Sequence, residues 1–451
     1  MPRVVVGLSG GVDSSVAAYL LKKEGYDVIA VFMINWHDKT GTLEGDCPWK
    51  DDLIFAQLVA RKLQIPFYSV DLSKEYKKRV VDYMFNEYEK GHTPNPDVLC
   101  NREIKFDEFL KVTRQFSPDF VATGHYCRKA EIEKNGKTIY RLMAGKDQNK
   151  EQSYFLCQIS QTQLSKAIFP VGAIEKSRVR EIATEQELPT ADKKDSQGIC
   201  FIGKVDLPTF LQQRLEAKQG EVIEIPRRFK GYLDYGNTIS HFNDLIHLSD
   251  SNNSTNLTNS TALAHLADSA VPIHQSSSRN LRIPDHLGDT TFLTGMTNSE
   301  FLAALTKPFE YHPDDGIVTG QHRGAHFFTI GQRKGLNVGG KKEPLFVIAT
   351  DTRHNIVYTG QGKDHPGLFR KGLFISHDDI HWIREDLAME PGESRDLLVR
   401  IRYRQPLQNA LLLLKEEGMY IIFDRMQRGI TQGQFAAWYD GEELLGSGCI
   451  S

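Results

Sequence analysis

Residues 3–15 read RVVVGLSGGVDSS, and their layout decides the fold. The apolar run through Leu8 has the length of a buried strand, and helical periodicity begins at Ser14 and lasts to about Glu24. The stretch Ser9-Gly10-Gly11-Val12-Asp13-Ser14-Ser15 therefore sits at a strand-to-helix junction. Two glycines let the backbone approach an anion closely, the helix start aims free N–H groups at it, and the serine hydroxyls add donors. Asp13 is the odd residue, because a carboxylate beside phosphate repels unless a cation lies between them; a Mg²⁺ ion on Asp13 resolves the conflict. No G-x-x-x-x-G-K-[ST] and no G-x-G-x-x-G is present, so the loop suits a pyrophosphate better than γ-phosphoryl transfer or a dinucleotide. The plainer alternative is a Gly/Ser turn with a capped helix. It is disfavoured by Gly-Gly with flanking serines at this junction.

Outward from the loop the pattern repeats. Strands are expected at Val28–Met33, Pro66–Val70 and Phe120–Thr123, with helices near Asp52–Leu63, Lys74–Lys90 and Glu103–Phe116. Strands alternating with helices imply a parallel sheet covered on both faces. From Arg128 two β-like stretches flank Asn135-Gly136, a hairpin signal, before helical segments near Gln152–Leu156 and Ser177–Gln186. Between Ser249 and Thr261 every residue except Leu257 is Ser, Asp, Asn or Thr, too polar to offset chain entropy by burial. Residues 227–314 read as an insertion, partly flexible. After Asp315 the chain is β-rich, with turns at Gly339-Gly340, Asp351–Asn355, Glu417-Gly418 and Asp440-Gly441 and strand-like runs at Leu345–Ala349 and Tyr420–Phe423. The expected domains are 1–205, 206–375 and 376–451.

With 451 residues, 40% hydrophobic and 25% charged, the chain has room for about three ordinary globular domains. No apolar run approaches the ~18 residues of a membrane span, and no signal-peptide layout opens the sequence, so a cytosolic protein is expected. Lys+Arg number 55 against 58 Asp+Glu, giving −3. Any affinity for nucleic acid must then come from local patches. The stretch Val318–Lys342 holds five Lys/Arg and no acid. Arg400, Arg402 and Arg404 alternate with Val399, Ile401 and Tyr403, which on a strand would set three guanidiniums on one face as a phosphate track.

The six cysteines form no C-x-x-C pair, unlike a zinc cluster or a secreted disulfide framework. Cys100 is expected just before a helix starting near Glu103, where the helix end, Arg102 and Lys105 would favour its thiolate. Cys200, running into an apolar strand, reads on its own as a buried structural cysteine. Cys47, Cys127, Cys157 and Cys449 read as packing residues. Asn95-Pro96-Asp97 offers an amide and a carboxylate on a proline-stiffened loop that can hold a flipped base at low ordering cost.

SGGVDSS after a short strand resembles the signature of N-type ATP pyrophosphatases, which split ATP into AMP and pyrophosphate. FMINW (32–36), TPNPDVLCN (93–101), GHY (124–126), NKEQSYFL (149–156), KKDSQGICFI (193–202), TIGQRKGL (329–336), RIRYRQ (400–405) and TQGQFAAWYDGE (431–442) are similar, in order, to tRNA-specific 2-thiouridylases. The resemblance implies an α/β fold: a PP-loop pyrophosphatase domain, a small central β-rich domain and a C-terminal β-barrel that binds tRNA. It implies ATP at Gly7, Leu8, Ser9, Gly10, Gly11, Val12, Asp13, Ser14, Met33 and Gly124, and the target base at Asn95, Pro96 and Asp97. It places tRNA contacts at His125, Lys150, Glu151, Gln152, Arg402, Tyr403 and Gln434; Glu151 stands where relatives have Asp, and a buried, hydrogen-bonded role competes at His125. It assigns Cys200 the persulfide and Cys100 the role of its disulfide-forming partner. A route in which released sulfide attacks the activated base stays open.

The implied activity is ATP-dependent 2-thiolation of a wobble uridine, served by a cysteine desulfurase or sulfur-relay protein, with a monomeric enzyme expected. Two rivals remain. An amide-forming ligase of the pyrophosphatase class gives the two cysteines no role, and a non-catalytic RNA-binding protein leaves Asp13, Cys100 and Cys200 unexplained. The insertion departs from the family pattern.

Overall fold

A computed structural model describes residues 1–37, 48–195, 200, 206–251 and 298–451. Cys47, the residues flanking Cys200 and most of the Ser/Asn/Thr-rich stretch lie outside these.

Strand β1 (Arg3–Gly7) pairs in parallel with β2 (Asp27–Ile34) on one side and β4 (Phe120–Ala122) on the other; β3 (Phe67–Asp71) and the short strand Ala167–Ile168 complete a five-stranded parallel sheet. Alternation along β1 sorts its side chains. Val4 and Val6 pack with helices α1 (Val12–Lys23), α2 (Pro48–Lys62) and Lys176–Glu185, while Val5 faces the helices of residues 73–113. The chain order reverses between β1 and β4, and it is beyond the carboxyl ends of strands at such a switch point that open α/β sheets bind ligands.

Residues 96–113 form one continuous helix, with wide π-type turns from Cys100 to Glu108. It starts seven residues earlier than the sequence reading placed it. Asn95 caps it, accepting the Val98 N–H at 3.3 Å, and Pro96 occupies the first turn, where a missing N–H costs nothing.

The central sheet orders Leu345–Asp351, Ile356–Gln361, Gly220–Glu224 and Ile317–His322. The third sheet is antiparallel and nine-stranded. Hairpin 127–144 joins it: Leu142 and Met143 pair with Leu444 and Glu443 of the last strand, Glu443–Cys449. The presumed insertion also carries helices at its two ends, Lys230–Ser251 and Ser299–Thr306, where none was expected. Phe242, Leu302 and Leu305 bury themselves against Leu413, Tyr420 and Ile422 of the third sheet. Among the described residues no helix is long and apolar enough to cross a membrane.

Candidate active site

The loop after β1 is built for close approach. Gly10 has φ +74°, and a Cβ there would lie 2.1 Å from the Asp52 carbonyl oxygen. Gly11 caps α1 without a side-chain hydrogen bond, leaving the first-turn N–H groups unclaimed by any cap. The Ser15 hydroxyl donates to the Gly11 carbonyl at 2.7 Å, and the Ser9 and Ser14 hydroxyls meet at 3.1 Å, so the loop is braced before any ligand arrives. From β4, Gly124 sits so close that a Cβ would come 2.8 Å from the Ser14 nitrogen. Met33 packs on Gly7, 3.3 Å from the place of its missing Cβ. Just past β2, Asn35 is buried with both ends of its amide unpaired. That is an expensive arrangement unless a ligand supplies the bonds.

Asp13 is met by an ammonium group. Lys176 Nζ lies 2.6 Å from Asp13 Oδ1, which also accepts the Tyr126 hydroxyl at 2.7 Å. Lys176 bridges on to Asp195 at 2.9 Å, where Arg180 and Lys150 converge. Against the cost of burial, the Lys150 and Lys176 hydrogen bonds hold the Asp195 carboxyl far below the usual carboxylate range. Lys193 donates to the Gly10 carbonyl at 2.9 Å and pairs with Asp52. Lys176, Lys193 and Asp195 were absent from the sequence reading; only KKDSQ hinted at two of them. Among the described residues no cluster of three metal-ligating side chains exists. Asp13 and Asp195 suit a divalent ion that takes one or two carboxylates and completes its shell from phosphates and water.

Cys100 and Cys200 are both free thiols, and they are hydrogen-bonded to each other. Cys100 lies inside its helix with no exposed surface, not at the helix end where the sequence reading put it. Burial, together with its bond to Cys200, pushes its pKa well up. Cys200 moves the other way: the Cys100 hydrogen bond, outweighing burial and helped by the Lys105 ammonium, lowers it. The Cys200 N–H donates to Asp97 Oδ1 at 3.0 Å, and the Tyr76 hydroxyl donates to its carbonyl at 2.6 Å. Burial raises the Asp97 carboxyl, which makes it a proton donor at higher pH than an ordinary aspartate.

The thiols connect to the loop through two residues. His125, next to Gly124, is buried, shares a hydrogen bond with Thr123 Oγ1 at 2.7 Å, and is kept neutral by burial and by the charge of Lys105. Lys105 in turn faces Cys200, Cys100 and Asp97.

A family model described as the tRNA methyl transferase HUP domain matches residues 2–204; a tRNA methyl transferase PRC-barrel domain matches 310–361 and an Aminomethyltransferase beta-barrel domain 373–450. The chain is 54% identical to the tRNA-specific 2-thiouridylase MnmA of Christiangramia forsetii over 452 residues, covering all of both chains. It is 37% identical to the MnmA of Bacillus subtilis over 449 residues, covering 99% of this chain and 94% of that one. The chain belongs to the tRNA-specific 2-thiouridylase family. A 4-thiouridine synthetase solved in complex with RNA and bound ATP aligns at 19% identity and a TM-score of 0.28, over 47% of this chain and 50% of that one.

For a thiouridylase the remaining expectations concern the RNA side, and there the structure redistributes several residues. Glu151 is not on a surface: it is buried, and its carboxylate takes Arg400 at 2.7 Å and the Ser153 N–H. Lys150 is spent on Asp195, and Gln152 is tied to Tyr126, accepting its N–H at 3.0 Å. The three-arginine strand face does not form. The strand ends at Arg400, which turns inward to Glu151, and Arg404 sits in a turn at φ +64° with its guanidinium 5.1 Å from the Tyr403 ring. Val399 and Ile401 do pack inward. Arg402 donates to the Gly429 carbonyl, and the Tyr403 ring packs on Phe155 at a 38° tilt with centroids 4.3 Å apart. Asn95 reaches across to the third sheet, its Nδ2 donating to Gln434 Oε1 at 3.3 Å. Cys127 and Cys157 are fully buried, as packing residues should be.

Proposed function

We propose that this thiouridylase converts the wobble uridine of tRNA to 2-thiouridine, using ATP to activate the base and Cys200 to carry the sulfur. The observation that carries the reading is the hydrogen-bonded pair Cys100–Cys200 beside Lys105, joined through His125 and Gly124 to the phosphate cradle.

The uridine O2 attacks the α-phosphorus of ATP, and pyrophosphate departs into the field of Lys176, Lys193 and the α1 N-terminus. Mg²⁺ held by Asp13 and Asp195 would neutralise phosphate charge. The terminal sulfur of a Cys200 persulfide then attacks C2, and AMP leaves with the C2–O2 bond electrons. Cys100 attacks Cys200 Sγ, giving up its thiol proton to the base as the S–S bond breaks; sulfur stays on C2 and a Cys100–Cys200 disulfide forms. A two-electron thiol reductant reopens it, and a persulfide-donating protein reloads Cys200. Asp97, whose affinity for a proton burial raises, is placed to exchange one with the base, and Asn95 to orient that base. A cytosolic monomer, with a cysteine desulfurase or relay protein as donor, completes the reading.

Nucleoside mass spectrometry of tRNA after incubation with ATP and a persulfide donor tests it. Cys200→Ser should lose 2-thiouridine by ~10³-fold or more while tRNA-dependent pyrophosphate release continues. Full thiolation by that variant would reject the persulfide assignment, and release of orthophosphate in place of pyrophosphate would reject the loop assignment.

A further inference from the structure

A cavity of about 390 Å³ opens where all three parts of the chain meet. Thr93 enters from the segment before Asn95, Thr329 and Gln332 from the central region, and Arg402, Thr431 and Gln434 from the C-terminal sheet. Its walls are braced across those borders. Gln434 Nε2 donates to the Thr93 carbonyl at 2.9 Å, the Thr93 hydroxyl to Thr329 Oγ1 at 3.2 Å, and the Thr329 N–H to Gln332 Oε1 at 3.1 Å. The lining holds hydroxyls, amides and a guanidinium, and no carboxylate. A second guanidinium, of Arg428, lies 3.7 Å from where Gly331, another lining residue, would carry a Cβ.

Such a lining suits an anion joined to a hydrogen-bonding ring. Its volume, near the lower end for ligand sites, suits one nucleotide rather than a strand. Placement narrows the source. Gln434 forms one wall and accepts from Asn95, so whatever fills the cavity sits next to the base that Asn95 orients. Sequence-specific RNA recognition favours unstacked loop nucleotides held on such edges.

We propose that this cavity receives one nucleotide adjoining the target uridine, with Thr329 and Gln332 reading its base edge and Arg402 its phosphate. The inference rests on the function proposed above and adds a second recognised position to it.

The test uses the full-length protein and an RNA stem-loop carrying the target uridine, with a single abasic site at either neighbour. Binding is measured without ATP. One abasic loop should bind about tenfold more weakly than the intact loop, and the other about equally. Thr329→Phe, which fills the cavity, should weaken the intact loop about tenfold and abolish the difference between intact and abasic RNA. Equal binding of all three loops by the unsubstituted protein, or penalties that multiply in the variant, would overturn the proposal. If Thr329→Phe melts early, Gln332→Ala run through the same cycle decides by the same two criteria. Thiolation of the intact loop is scored separately: no 2-thiouridine there defeats the proposed function, whereas indifference to the abasic site defeats only the cavity assignment.

Discussion

Two regions meet at the sulfur atoms and treat them in opposite ways. The helix over residues 96–113 seals Cys100 among apolar side chains, and burial holds its thiol protonated. The segment carrying Cys200 leaves that residue partly exposed, pinned through its backbone by Asp97 and Tyr76, with its sulfur facing Lys105. A helix terminus with Arg102 and Lys105 was the expected activator of Cys100; Cys100 lies inside the helix, and of the two cations Lys105 is the one that acts, on Cys200 as well as Cys100. What separates them is a Lys105 hydrogen bond that goes to Cys200 alone, and which sulfur donates the bond between the thiols. A resting nucleophile and a guarded one is a division of labour suited to a persulfide carrier whose partner should attack only after transfer.

That contrast can be broken in four ways. The largest effect belongs to Cys100→Ser, which should cut multiple-turnover thiolation by ~10³-fold and trap tRNA joined to Cys200 through a disulfide, visible as a shifted, reductant-sensitive band. A persulfide retained on Cys200 with no RNA adduct would favour the released-sulfide route instead, since without Cys100 nothing frees the sulfide. Next, Lys105→Met should slow alkylation of Cys200 at neutral pH by roughly tenfold to a hundredfold and leave Cys100 as inert as before; an unchanged rate would remove Lys105 from the account.

The same ammonium helps keep His125 neutral, which gives a stability signature. His125 has a folded pKa below its unfolded value of ~6.5, so the unfolded chain takes up a proton that the folded chain declines. The stability it protects is complete above that unfolded value and should fall by ~1.4 kcal/mol per pH unit below it. Urea titrations of His125→Gln should show a shallower acid slope; an identical slope would mean other histidines carry it. The smallest effect is that of Asp97→Asn. It keeps an acceptor for the Cys200 N–H but removes a negative charge that raises the Cys200 pKa, so the midpoint of its alkylation profile should move down, by less than a unit. A midpoint that moves upward would contradict that role.

Much of the fold was legible because its signals are local. RVVVGLSGGVDSS carries strand, turn and helix start within thirteen residues, and Asn135-Gly136 fixes a hairpin on its own. Asn95-Pro96 was equally readable as a cap and first turn, yet the surrounding prolines argued for a loop, and Cys100 was misplaced as a result. The roles of Lys176 and Asp195 were not legible, since each depends on a partner brought close by tertiary folding, and Lys105, expected to act on Cys100, was not foreseen beside Cys200. Arg400 shows the converse. Its alternation with apolar neighbours was real, but a carboxylate 249 positions away claimed it. Lys230–Ser251 escaped notice because its apolar side chains find their cover on distant strands.

The seam between hairpin 127–144 and the final strand has a mechanical consequence. Two residue pairs stitch the catalytic half to a strand that ends two residues before the chain does. A protein shortened before residue 443 would lose more than an RNA-facing appendage. The hairpin would be left with a raw edge, inviting intermolecular pairing, and Gln434 would lose the framework that presses it against Thr93. Fraying at the tail should therefore be felt at the base-holding loop, which Gln434 touches across 341 positions of sequence.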